Sequence, residues 1–404
     1  MANRILTGAA TAVAQVDTAT PANVEIGDIF TLINTDDNAA TASIAFTATA
    51  TTVANVTAGL TAAWNLSDNP LVRGITAADV TTHMTLTADV AGVSFVLTAT
   101  AVNVGGGADT QTLTIVHTTA NSGPADVLCT TNWNGGVVPS GTDAVYARAG
   151  GGSMTYGLTG FTCSTLTTET GWGGTIGRFG NAGEYGGPLH KLQLASCDTL
   201  VIGGSGSLVA VDTGSTAGVA AYVVHTGLPS AVGRHVIYLE GDHLDLITII
   251  SGDVAIGTQP GDTPATNGTI IVKGGSLFLG VGFTPTAVAL KIYDGTVTAE
   301  CGTCTTIVIG SGGTFIEKSA GETSITIQDG GTLKGMAGSV AASPTYTAIT
   351  CSGAATLDFR EETRATTITA LTINGGATTI YDPQSLVTLP VPTMTHGGTL
   401  TIVR

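Results

Sequence analysis

The chain has 404 residues, of which 29 are acidic and 13 basic, a formal charge of −16. Only 10% of residues are charged while 43% are hydrophobic, which excludes intrinsic disorder, a state that needs low hydrophobicity and dense net charge. No run approaches the roughly 20 apolar residues of a membrane helix, and an acidic chain without a basic run repels phosphate backbones, so neither membrane insertion nor nucleic-acid binding is expected.

Met1 to Gln15 contains one Arg and no apolar block of signal-peptide length, so no secretion signal is read there. Val24 to Asn34, Ala42 to Thr49, Thr82 to Asp89, Ser94 to Val102 and Gln111 to Thr118 each alternate apolar residues with Thr or other polar residues, the pattern of half-buried antiparallel strands. Between the second and third of these, Val53, Val56, Leu60 and Trp64 form a helical stripe. Strands grouped around one helix predict a compact, β-sandwich-like α+β module over residues 1–122, closed by the turn-rich Asn121-Ser122-Gly123-Pro124.

Residues 123–199 read as a capping region with irregular glycine-rich loops, leading into repeats over 200–404. The repeating unit is a short β run, one or two glycines and a second β run, as in IISGDVAIG (249–257), IIVKGGSLFLG (270–280), IVIGSGGTFIE (307–317) and LTINGGATTIY (371–381). The residue before each second run is Gly252, Gly275, Gly295, Gly313, Gly331, Ala354, Gly376 or Gly398, at spacings of 18 to 23 residues. A repeat of this length, all strand and turn, matches one coil of a parallel β-solenoid. Its corners demand positive φ, which glycine tolerates and β-branched residues do not.

Thr131 to Tyr146 reads TNWNGGVVPSGTDAVY. This stretch resembles the N-W-x-G-G-x-x-P-x-x-x-D opening of right-handed β-helix regions in bacterial surface proteins and phage virion proteins, with Asn132, Trp133, Gly135, Gly136, Pro139 and Asp143 carrying the match. The VEIGDIFTL strand followed by TATATTVANVTAGLTAAWN looks like small β-rich domains of bacteriophage tail and head accessory proteins. The resemblance implies a right-handed parallel β-helix with Trp133 capping its first coil. It also implies a virion structural protein, a capsid decoration, spike or fibre, whose N-terminal module docks on a phage capsid or tail protein. Such a protein assembles in the host cytoplasm, leaves by lysis, and needs no secretion signal.

Chemistry is sparsely signalled. Glu240, Asp242, His243 and Asp245 form the densest acidic group and read as a solvated turn, whereas a polysaccharide lyase or hydrolase needs clustered carboxylates. The run Arg360, Glu361, Glu362, Arg364 reads as weak surface ion pairs or a subunit contact. His190, His225 and His235 read as scattered singles. Six cysteines are too few for a disulfide scaffold and are expected reduced and packed; the Cys301-x-x-Cys304 pair lacks a second pair to complete a zinc site. The expectation is therefore a non-enzymatic structural protein with no cofactor and no metal. Low charge and abundant surface Thr, Val and Ala point to a homotrimer, and a host-surface glycan is a conceivable ligand. A tailspike-like polysaccharide depolymerase and a bacterial surface adhesin are the alternatives.

Overall fold

The structure is a computed structural model and describes residues 2–35, 41–104, 110–179, 188–204, 208–214, 218–226, 235–241, 244–258, 268–283, 288–301, 304–338 and 342–404. The fold is mostly β, with a parallel β-solenoid of about ten turns in residues 144–403 and a small N-terminal β module containing a helix. The chain divides into two units. One comprises Met1–Leu6, Pro139–Gly151 and Thr159–Arg404; the other comprises Thr7–Val138 and Gly152–Leu158.

In the N-terminal unit, one antiparallel sheet runs in the order Ile75–Asp79, Met84–Ala88, Val16–Ala22, Thr112–Thr119. A second runs Thr41–Thr47, Ile29–Thr35, Val96–Val102. The helix Val53–Asn65 buries Val56, Leu60 and Trp64, the stripe that the sequence spacing predicts. Thr52 caps it by accepting from the Asn55 N–H, and the Trp64 indole donates to the Ile75 carbonyl at 2.8 Å. The strand Val16–Ala22 escapes the alternation pattern because its inward residues are Asp17, Ala19 and Pro21, none of them a large apolar side chain. Its buried Asp17 is held instead by His117 Nδ1 at 2.5 Å.

In the solenoid unit, two long parallel sheets face each other across the coil interior. The first has 13 strands among the described residues and the second 12. The second half of the chain shows the register most plainly. Leu290, Ile307, Ile325, Ile349 and Leu371 stand in one inward column of the first sheet, and Ile292, Ile309, Ile327, Cys351 and Ile373 in the next. Opposite them, Leu277, Val297, Phe315, Leu333, Leu357 and Ile380 form a column of the second sheet. All of these side chains are buried. Like side chains stack on like because every coil places the same register position at the same point, and each coil supplies the apolar surface that its neighbour needs. A third parallel sheet of Thr345–Tyr346, Thr366–Ile368 and Val387–Thr388 gives the last coils a third face.

The solenoid begins earlier than residue 200. Ala144–Ala147 and Thr165–Thr168 already belong to the first sheet, and the outermost described strand beyond them is Asn3–Leu6, paired in parallel with Ala144–Ala147. Asn3–Leu6, expected in the N-terminal module, thus supplies a rung of the solenoid. Four residues carry too little pattern to be placed by sequence alone.

Candidate functional site

The corner glycines serve two different needs. Gly252, Gly275, Gly295 and Gly376 have φ of 110°, 75°, 86° and 68°. At the other four copies the left-handed residue is one position earlier, at Gly312, Gly330, Gly353 and Gly397. Gly313 and Gly331 are therefore not glycine for their φ. A Cβ on Gly313 would meet the Ile292 carbonyl at 2.6 Å, and one on Gly331 the Ile309 carbonyl at 2.8 Å, so it is rung-to-rung approach that excludes a side chain. Gly275 and Gly376 carry both constraints, since a Cβ there would lie 2.3 Å from the backbone of Gly252 or Gly353.

The tryptophan motif is likewise structural in its contacts. Asn132, fully buried, accepts from the Ala10 N–H and donates to the Gly123 and Asp126 carbonyls. Trp133 lies in the N-terminal unit, buried, with its indole N–H donating to the Val127 carbonyl at 2.9 Å. This bond closes a turn of its own unit. Gly135 and Gly136, with φ of 81° and 64°, make the turn that follows, and Pro139 is buried at the start of the solenoid segment. Asp143 accepts from the Ala2 N–H, Arg4 Nε and the Ser140 N–H and hydroxyl. Chiefly through the Ala2 N–H, with Arg4 and Ser140 adding to it, these donors hold its carboxyl down to about 2. The motif's last residue fastens the Asn3–Leu6 rung to the stack.

The densest group of perturbed ionisable side chains lies inside the late coils. Glu317 occupies an inward column of the second sheet, in register with Ala299 and Gly335, and is fully buried. Its Oε1 accepts from the Ser319 N–H and hydroxyl at 2.6 and 2.5 Å. Glu322, 1% exposed, accepts from the Cys304 N–H through Oε2 at 2.6 Å. As two carboxylates, Glu317 Oε2 and Glu322 Oε1 would be buried acceptors without a donor; a proton on Glu322 supplies one. Burial, first, and then the Cys304 and Glu317 sulfur and carboxyl groups push Glu322 up to about 12, and burial raises Glu317 as well. The pair holds a proton at neutral pH. The Tyr346 hydroxyl, also buried, has no hydrogen-bond partner among the described residues, and burial followed by Glu317, Glu362 and Glu322 drives its titration far upward.

Beside this pair, Arg364 binds Glu362 through two bonds of 2.8 Å and caps the Ser319, Ala342 and Met336 carbonyls. Burial works to raise the Glu362 carboxyl, and the Arg364 guanidinium with the Arg364 and Thr363 N–H groups outweighs it. The expected weak surface pairing of this run holds for the exposed Arg360, which grips Asp358, and for Lys334 with Glu361; it fails for Glu362 and Arg364, which are internal. Sequence reasoning passed over Glu317 and Glu322: Glu317 ends the second β run of IVIGSGGTFIE without being singled out. The available signal was period two in GTFIE, which sets Glu317 in phase with Phe315 and Gly313.

Elsewhere, His235 is not an isolated residue. Its Nδ1 lies 3.1 Å from Asp253 Oδ2, its ring stacks on Phe278 at 5.0 Å, and the Ser276 hydroxyl donates to Asp253 Oδ1 at 2.5 Å. Asp253 thus joins serine and histidine by separate oxygens, which satisfies the carboxylate without setting the histidine against the serine as a base. Of the acidic group predicted around 240, Glu240 pairs with Lys191 and Asp245 is exposed; Asp242 and His243 lie outside the described residues. His225 is fully buried and His190 half-buried. Among the described residues no group of three or more His, Cys, Asp or Glu is placed to hold a metal ion. No family model, no curated protein and no solved structure matches the chain.

Proposed function

We propose that the chain is a non-enzymatic structural protein of a phage particle, the N-terminal unit docking on a capsid or tail protein and the solenoid serving as a decoration, spike or fibre. The observation that carries this reading is the unbroken parallel ladder: 13 strands in one sheet, each hydrogen-bonded to the next, make a stack of roughly 58 Å at the usual strand spacing. Every rung is cross-linked by backbone bonds and filled by stacked apolar columns, which suits a stiff projecting element. The ionisable groups that cluster most densely support it too, because Glu317, Glu322 and Glu362 are turned inward and committed to local hydrogen bonds rather than presented to a substrate.

On this reading the protein assembles as a homotrimer in the host cytoplasm, and its flat, weakly charged sheet faces meet one another or a host-surface glycan. The test is to raise antibody against the purified chain and label particles from lysates of cells that make it. Labelled particles are expected, and so is the absence of new reducing ends or unsaturated uronate when the protein is incubated with host capsule. Unlabelled particles would overturn the virion assignment; capsule cleavage would replace it with the depolymerase, and binding to intact producer cells with no particle label would favour the adhesin.

A further inference from the structure

Six cysteines are unpaired, five of them buried. Two of the buried ones occupy equivalent corners of consecutive rungs. Phe161–Thr162 runs parallel to Leu192–Ser196, with Thr162 opposite Ser196, so the next residues along, Cys163 and Cys197, are neighbours across the ladder. The Cys163 N–H donates to the Ser196 carbonyl at 3.0 Å, which continues the ladder to this point. Facing residues of adjacent strands lie about 4.8 Å apart, inside the Cα separation of roughly 4.4–6.8 Å that a disulfide spans. The two thiols are close enough to perturb one another, and each residue is 1% exposed.

We propose that Cys163 and Cys197 form a modification site, a dithiol that a hydroperoxide oxidises to a disulfide stapling one rung to the next. The two sulfurs are not equivalent. The Cys163 thiol lowers Cys197 against the effect of burial, whereas Cys197 and burial push Cys163 up, and the Cys197 thiol donates to the Thr199 carbonyl at 3.3 Å. Either sulfur can lead, with the same product; when Cys197 leads, its thiolate attacks one peroxide oxygen, the O–O bond breaks, and a sulfenic acid forms with release of hydroxide. The Cys163 sulfur then attacks the sulfenyl sulfur; the S–S bond forms, the S–O bond breaks, and the oxygen leaves as water with the Cys163 proton. The two cysteines lose two electrons and the peroxide gains them. A peroxide is small enough to reach a site closed to bulkier disulfide reagents. Of the three other buried cysteines, Cys351 stands in a column between Ile327 and Ile373 and serves as an internal control.

The test treats the folded chain with hydrogen peroxide, then denatures and alkylates it and maps the peptides by mass spectrometry. The expected result is a linked Cys163–Cys197 peptide, two fewer alkylated thiols of the six, an unlinked Cys351, and return of both thiols on reduction. In Cys163→Ser the reaction should stop at a sulfenic acid on Cys197 that dimedone, added together with the denaturant, traps. Full alkylation of both cysteines after peroxide, or a link that forms only when peroxide is added to denatured chain, would overturn the proposal. Should the variant fail to fold, the wild-type peptide map decides alone.

Discussion

Replacing Glu322 by Gln should stabilise the protein at neutral and alkaline pH. The folded state keeps a proton on this carboxyl to about pH 12, while the unfolded chain releases it near 4.5. A raised carboxyl value means that the native state binds the extra proton, so stability is fully present below pH 4.5 and declines through the window above it. The decline is about 1.4 kcal/mol per pH unit, hence roughly 3 kcal/mol by pH 7, and it depends only on the folded value staying above 7. Glutamine carries its hydrogens at every pH. Its amide N–H₂ can donate to Glu317 where the acid proton did, and its carbonyl can accept from the Cys304 N–H as Oε2 does. Denaturant titrations of wild type and Glu322→Gln at several values between pH 5 and 9 should show the variant's stability falling less steeply than the wild type's, with the variant ahead at pH 8. Parallel slopes in the two proteins, or a variant behind the wild type at pH 8, would refute the shared-proton reading.

Arg364→Met should cost about 3–5 kcal/mol, the range for breaking a buried pair, because it leaves Glu362 buried and uncaps three carbonyls; chemical denaturation checks it, and Arg360→Met, at an exposed pair, should cost under about 1 kcal/mol. Gly376→Ala should lower stability by about 1–2 kcal/mol from left-handed backbone alone, with the contact to Gly353 added; alanine at Gly397, which is left-handed but has open space around it, should cost visibly less. Asp143, held down to about 2 against an ordinary 3.8, contributes roughly 2 kcal/mol above pH 4 that disappears as pH falls toward 2. Protection factors of the Arg4–Leu6 amides, corrected for the intrinsic rate at each pH, should fall across that window and should already be low at pH 7 in Asp143→Ala.

Much of the solenoid was legible because stacking imposes the same inward–outward alternation on every coil, and glycine is forced wherever rungs turn or approach too closely for a side chain. The stretch from Gly252 to Gly398 shows this at nearly constant spacing. The earlier rungs were hidden: between Thr165–Thr168 and Thr199–Gly204 the chain makes a long excursion, so the glycines lose their rhythm while the strands keep theirs. Asn3–Leu6 was hidden for another reason, since its pairing with Ala144–Ala147 joins residues some 140 positions apart and is fixed by Asp143, whose donors cannot be read from spacing. Glu362 was set at the surface by the general preference of charge for water, and Glu317 stood in a β run without being read as inward, although the phase of GTFIE places it there. His235 found its partner through a ladder contact, with Asp253 and Ser276 standing opposite each other on adjacent strands.

The most direct measurement of the account is mass spectrometry of density-purified particles from lysates of cells producing this chain. The structural reading predicts the full chain among the particle proteins, in a copy number divisible by three and undiminished by washing. Recovery of the chain only in the soluble fraction, with particles free of it, would contradict that reading.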